Sequence, residues 1–544
     1  MNYNLDEFKQ KLIEFFRKYW IPIVGVLIIF AVILSVTNIY RERVLHIDDS
    51  FDYVKQDTIY IPASTMDTLN PITTITEDSY YINKLIYDSL FEYDDNLGVK
   101  PVLVDSYTVD TEKAFIHVKL KSGIKFHNGK SLTAKDVQFT VNAIQTQGTK
   151  SLYYPKVSKV HSMYVENDLE FKLYFRNNYD CSLDALTFPI VCGSQYDTIM
   201  GFLGDANFEP VGTGQYKFVK YDSYKDLQLT PNTTYFGNVA KKNIVVQIVP
   251  DKKNLANLIE NETITCYLDK GSERKTMVTD NNLTMYDILS NEVDFIYFNS
   301  MSEVFKKAEM RKAVCYAIDS QSVLEKGYLN DGILTDTIYF PNFLGVKDTG
   351  TNYNYDESKA NKLLSKEGYA DKDKNGKLED SKEKPLEVTI LVNSNNANRV
   401  AAAKVISNNL ESVGFTVKVN AVAWDEYQRL IKNKTFDILL TGYSIEESYD
   451  LRDLFNGKAM WGYRNNDLYN QTRKLDRLYT EEQYQNIYSE LKDMLIKEVP
   501  YYPLCYKKMG LIGTETLEAN RLPMFNNIYK NIGTWDWTKA VPKE

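Results

Sequence analysis

The 544-residue chain has only five cysteines, Cys181, Cys192, Cys266, Cys315 and Cys505, and four histidines, His46, His117, His127 and His161. No CxxC pair and no dense cysteine framework occurs, so neither a disulfide scaffold nor a zinc ribbon is encoded, and a single Cys181–Cys192 bridge stays open. The histidines do not pair at ligand spacing, so a zinc or haem site would need donors from distant parts of the chain. No basic block is long enough to follow a phosphate backbone, and the net charge of −9 is spread over interspersed acids and bases, which argues against nucleic-acid binding. No GxSxG or HExxH motif is present. Carboxylate pairs are plentiful, but nothing selects one as catalytic. An extracellular hydrolase is therefore only a minor alternative, and no catalytic residue, metal ligand or cofactor is assigned.

Tyrosine, by contrast, is abundant at 41 residues. It gives an apolar face with a polar tip, which suits a wet, adaptable binding surface, although AT-rich codon usage produces the same excess. One stretch imitates a nucleotide site: "SGIKFHNGKSLTAKDV", residues 122–137, places Gly129-Lys130-Ser131 after a strand-like run. A phosphate loop needs four residues between its first glycine and the Gly-Lys-Ser. Five separate Gly123 from Gly129, and they include Phe126 and His127. Thr133 reads as a helix N-cap with Asp136 as the acidic half of a capping box, so the helix starts past the GKS. The stretch is read as a turn at Asn128-Gly129 followed by a capped helix.

Residues 20–40, "WIPIVGVLIIFAVILSVTNIY", carry no charge. As a helix they span roughly 31 Å at 1.5 Å per residue, enough for a bilayer core. Trp20 and Tyr40 stand where aromatic belts are expected, and Lys9, Lys11, Arg17 and Lys18 precede the run, which favours a cytoplasmic N-terminus. No small-residue cleavage site follows, so an uncleaved signal anchor is expected rather than a signal peptide. Residues 1–19 are expected to form an amphipathic helix at the inner surface, residues 41–57 a linker, and residues 58–544 a large domain outside the cell membrane.

Within that domain strand patterns ("TIYIPA", "FIHVKLK", "FKLYF", "YKFVKY", "NIVVQIVP", "VDFIYFN", "LEVTILVN", "TVKVNAV", "FDILLTGY") alternate with helical ones over 133–145, 306–317, 356–367, 395–413 and 480–497. The mixture predicts α/β or α+β lobes. In "DKDKNGKLED", 371–380, Asp371, Asp373, Asn375 and Gly376 are spaced like the start of a calcium loop, but Lys382 stands where the twelfth-position glutamate belongs. A solvated Asn-Gly turn explains the same residues.

Several motifs resemble the bacterial extracellular solute-binding proteins of the peptide/nickel class, family 5. Tyr87-Asp88, Pro101, Lys125-Phe126, Asn128-Gly129 and Leu132-Thr133-Ala134-Lys135-Asp136-Val137 match its N-terminal pattern. "PVGTGQYKFVKY" (210–221), "LTPNTTYFG", "EMRKAVCYAID" (309–319), "YNYDESKANKLLSKEGYADKDKNG" and "IKEVPYYPLCY" (496–506) match further segments along nearly the whole external chain. The resemblance implies a two-lobed, periplasmic-binding-protein-like (Venus flytrap) α/β fold with an extra N-terminal subdomain. The lobes are expected at about 58–85, 190–290 and 505–544 (lobe I) and 291–504 (lobe II), with the inserted subdomain at about 86–189.

It also implies a receptor for an ABC importer, partnered by permease subunits and acting as a monomer, that captures oligopeptides between closing lobes. An anchored peptide sensor without a permease, or a binder of a nickel chelate or sugar, remain alternatives on the same fold. In peptide-binding relatives an acid in a "GW-AD" segment holds the ligand's α-ammonium. The matching stretch is "TGYSIEESYD", 441–450, where Gly442, Tyr443 and Ser444 offer backbone contacts and Glu446 falls at the acid's position. Glu replaces Asp there and the usual following Pro is absent, so Glu447 and Asp450 are alternatives in register. Glu77 and Trp424 are secondary candidates.

Overall fold

The computed structural model describes residue 9 and residues 51–542 apart from 111, 177–181, 272–273, 281–282, 344–352, 446–450 and 475–480. The expected membrane span at 20–40 and the inner amphipathic segment therefore lie outside the described residues. Among the described residues, no helix is long and apolar enough to cross a membrane.

The chain forms two compact units. The small one holds β1 (Phe51–Lys55) and β19 (Thr538–Pro542), paired antiparallel from Phe51↔Pro542 to Lys55↔Thr538. The large one, residues 57–537, holds the remaining sheets.

β2 (Thr58–Ala63) buries every second residue, as its apolar alternation predicts. It pairs in parallel with β11 (Asn243–Ile248), which continues antiparallel into β10 (Asp226–Pro231) and β9 (Tyr216–Asp222). A second four-stranded antiparallel sheet has the order β5 (Val104–Asp110), β6 (Phe115–Leu120), β8 (Glu170–Phe175), β7 (Val160–Val165). The short pair β3 (Phe91–Tyr93) and β4 (Val99–Pro101) precedes it.

The largest sheet runs β12 (Cys266–Asp269), β18 (Tyr501–Gly513), β13 (Thr284–Phe298), β17 (Ile438–Ser444), β15 (Glu387–Asn393), β16 (Thr416–Val422), with β14 (Gly332–Leu334) also on β18. The two long strands, β13 and β18, pair at both ends but not in the middle. Leu289 faces Lys508, and the next pair is Val293 with Tyr506, so Ser290, Asn291 and Glu292 oppose Lys507 alone. One half of this ribbon adjoins β12 and the other adjoins β17. The irregularity bends the ribbon where it passes between two sheet regions.

The helix expected from Thr133 is α2 (Ala134–Gln147), and its capping box forms: Asp136 Oδ2 accepts from Thr133 N–H at 3.0 Å and from its hydroxyl at 2.8 Å. Before it the chain turns at Gly129 (φ +84°), closed by a Lys125–Ser131 bridge. Lys130 Nζ donates to the Ser194 carbonyl at 2.7 Å. The GKS thus leaves a β-turn over 126–129 and is stapled to a neighbouring loop. "IKEVPYYPLCY" divides: 496–498 end a helix and only Tyr501 onward is strand.

Candidate functional site

Two groups of residues stand out, and they do different work. The first gathers the N-terminal motifs. Helix α1 (Glu77–Ile86) ends at Tyr87-Asp88, and the loop 210–214 docks on that end: Gly214 N–H donates to the Ile86 carbonyl at 2.9 Å. A Cβ on Gly212 would overlap that same carbonyl oxygen. His127 bridges the loop, accepting from Gly212 N–H on Nδ1 (3.3 Å) and donating from Nε2 to the Gly214 carbonyl (3.0 Å). Burial drives its pKa down to about 4, so the imidazole is neutral. Asp88 accepts from Thr213 (2.8 Å) and Tyr235 (3.1 Å) hydroxyls. Every partner here is the protein itself, so these motifs hold a joint.

Burial pushes the Asp88 pKa up to about 6, against the pull of the Thr213 and Tyr235 hydroxyls. A carboxyl that holds its proton more tightly in the fold stabilises fully below the unfolded value of 3.8, and the effect is lost as pH rises through 6. Asp88→Asn removes that dependence. The stability of the native chain relative to this variant is expected to fall by about 2 kcal/mol between pH 4 and pH 7 in urea titrations. A pH-independent difference would contradict it.

The second group lies on β17. Ile445 N–H donates to the Asn291 carbonyl, and Ser444, Tyr443 and Gly442 oppose Glu292, Val293 and Asp294 of β13. Hydrogen-bonded pairs alternate along an antiparallel ladder. Tyr443 therefore turns its backbone toward β13, while Gly442 and Ser444 turn N–H and C=O to the opposite edge. On that edge β15 pairs β17 only at Ile438 and Leu439. Leu440 C=O, also on it, accepts from the Tyr427 hydroxyl at 3.0 Å. Tyr427 belongs to helix α6 (Trp424–Lys432) and stacks on the half-exposed Trp424 at 5.7 Å.

Of the residues anticipated, Gly442 and Ser444 thus share one strand edge, Tyr443 turns its backbone to the other, and Trp424 stands against Tyr427, whose hydroxyl reaches Leu440 on the same strand. Glu446, Glu447 and Asp450 lie outside the described residues. Glu77 is exposed at the start of α1 and faces Lys270 Nζ at 3.7 Å.

A charged cluster under this edge was not anticipated. Asp294, fully buried, accepts from Arg399 Nε at 2.8 Å and Nη2 at 2.7 Å and from the Tyr328 hydroxyl at 2.9 Å. Lys507 Nζ stands 3.4 Å from Asp294 and 3.1 Å from Glu292. Burial alone would raise the Asp294 pKa, but Arg399, Lys507 and Tyr328 hold it below the usual carboxylate value. A Cβ on Gly442 would overlap both Arg399 Nη2 and Asp294 Oδ1. The sequence did carry a hint: an aspartate inside the apolar run "VDFIYF" needs a buried partner.

Elsewhere, Cys192, Cys266, Cys315 and Cys505 are buried free thiols, and Cys181 lies outside the described residues. In the 371–380 turn, Asp371 accepts from Asn375 and Gly376 N–H, and Glu379 accepts from Lys372 N–H. Asp371, Asp373 and Glu379 have carboxylate oxygens close enough to share an ion, and the His117 ring nitrogen and the Glu166 and Glu170 oxygens are grouped as closely. In the latter group Lys172 already pairs with Glu166 at 2.6 Å.

The family model "Bacterial extracellular solute-binding proteins, family 5 Middle" matches residues 98–458. The oligopeptide-binding protein AppA of Bacillus subtilis is 25% identical over 493 residues, covering 86% of this chain and 89% of AppA. The glutathione-binding protein GsiB of Pectobacterium atrosepticum is 23% identical, covering 84% and 90%. Among solved structures, NikZ from Campylobacter jejuni in complex with Ni(L-His) superposes with a TM-score of 0.60 at 21% identity, covering 88% of this chain and 99% of NikZ.

Proposed function

The chain belongs to the bacterial extracellular solute-binding proteins, family 5, whose members are binding components of ABC importers rather than enzymes, and on that premise we propose that it captures peptides by strand addition at the outer edge of β17. The observation that carries this reading is the outward N–H and C=O of Gly442 and Ser444 beyond the end of β15. A peptide laid there pairs main chain to main chain, which gives affinity with little demand on sequence. Trp424 flanks the edge and supplies an apolar face for a ligand side chain. Glu446, two residues past Ser444 in sequence, takes the ligand's α-ammonium, with Glu447 and Asp450 as the alternatives.

The lobes close about the unpaired centre of the β13–β18 ribbon, at 290–292 and Lys507. Residues 20–40 anchor the domain in the cell membrane with the N-terminus inside, keeping the receptor near its permease at high effective concentration. The names of AppA and GsiB, an oligopeptide and a glutathione binder, support a peptide ligand.

The test is calorimetry on the full chain in detergent with alanine peptides of two to six residues, free and N-acetylated. At least one free peptide is expected to bind at micromolar or better affinity. Glu446→Gln is expected to weaken it by at least about tenfold while leaving the acetylated form unaffected. Binding of Ni(II)–histidine with no peptide bound would overturn the peptide reading.

A further inference from the structure

Resting on the peptide-capture reading, we propose that Arg399 is a specificity-determining residue whose unused guanidinium N–H groups donate to a main-chain carbonyl oxygen of a peptide lying along the outer edge of β17. The sheet order places β17 between β13 and β15. Arg399 lies in the first turn of helix α5 (Ala397–Ser412), which follows β15 directly, and its backbone N–H is held by the Asn396 N-cap at 3.0 Å. Its partner Asp294 is on β13. The side chain must therefore cross β17 from the side on which an added strand would lie to the far side. It crosses at Gly442, where a side chain would overlap it. A strand paired to Gly442 and Ser444 would run alongside this guanidinium.

Guanidinium carries five N–H donors in a rigid fork. Two serve Asp294, from Nε and Nη2. Nη1 has no acceptor among the described residues, and the side chain keeps 16% exposure. The fork is pre-oriented, because the buried carboxylate that holds it is itself fixed by Tyr328 and Lys507. A ligand group that meets it costs no rotamer ordering. Asp294 balances the charge of Arg399, and Glu292 balances that of Lys507. The cluster thus offers oriented N–H groups with no net charge. That complements a neutral carbonyl better than a carboxylate, and a carbonyl recurs in every peptide whatever its side chains.

The test is a cycle between Arg399 and ligand carbonyls. The probes are penta-alanine and its four single-thioamide analogues, in which sulfur, a weak acceptor, replaces one carbonyl oxygen. They are titrated into the full-length protein in detergent. In the native protein, one thioamide position is expected to lose about tenfold in affinity. In Arg399→Lys, which keeps a charge for Asp294 but loses the fork, that positional loss is expected to vanish while penta-alanine itself weakens about tenfold. Should Arg399→Lys not fold, the double variant Arg399→Lys/Asp294→Asn, which leaves no buried carboxylate unpaired, carries the same cycle. A uniform loss for all five ligands, or none, would overturn the contact and leave Arg399 a purely structural residue. Failure of the native protein to bind penta-alanine or any other alanine peptide would overturn peptide capture, and this contact with it.

Discussion

Arg399→Met is expected to cost about 3 kcal/mol of folding stability, among the largest single-site losses away from the apolar core. The variant strands a fully buried carboxylate: Asp294 keeps Tyr328 at 2.9 Å and Lys507 at 3.4 Å but loses both arms of the guanidinium. Lys507 is shared with Glu292, so it only partly compensates. This places the loss near the bottom of the range of about 3–5 kcal/mol for breaking a buried pair. Adding Asp294→Asn should restore most of it, because a neutral amide no longer needs a counter-charge. Urea denaturation of the single and double variants checks both statements. A single variant within about 0.5 kcal/mol of the native chain would show that water or Lys507 already satisfies Asp294.

Gly212→Ala is expected to cost about as much for a different reason. The added methyl would overlap the carbonyl oxygen of Ile86 and stand 2.7 Å from its carbon and 2.8 Å from Tyr87 Cδ1. Two backbones meet there, so no flexible side chain can swing aside, and the joint made by loop 210–214, α1 and His127 must open. A loss of about 3 kcal/mol is expected, at the upper end of overpacking effects. Gly129→Ala provides the contrast. That glycine has φ +84° and nothing within 4 Å of the added methyl, so only the left-handed backbone is penalised, by about 1 kcal/mol. Equal urea midpoints for the two variants would refute the steric argument.

The strands that alternate cleanly were legible before any coordinates. "TIYIPA" and "FIHVKLK" bury alternate residues because one face of each meets the core. β5 and β7 are not legible in the same way because only one residue of each is buried, leaving no apolar period to read. The turn at 128–129 and the capping box were legible because their chemistry is local. The Asp294–Arg399 pair was not: the residues are 105 positions apart, and only the β13–β17–β15 order brings them together. Gly442 was singled out by resemblance as a backbone contact for ligand. Its second role, as the gap through which Arg399 passes, depends on what crosses above it and leaves no mark in its own neighbourhood of the sequence.

The central place of β13 has a consequence for how the chain is made. Its apolar half, Val293–Phe298, is buried in the finished sheet and paired on both edges. Those partners arrive late: β17 begins at residue 438 and β18 at residue 501. A chain emerging N-terminus first therefore carries a sticky strand with two open edges while residues 299–437 are made, and with one open edge until β18 follows. Contacts this distant in sequence slow folding, and unpaired apolar strands are where partly folded chains associate with one another. Yield on overproduction should accordingly be limited by the time β13 spends unpaired, and a lower concentration of nascent chains or a holding chaperone should raise it more than any gain in final stability.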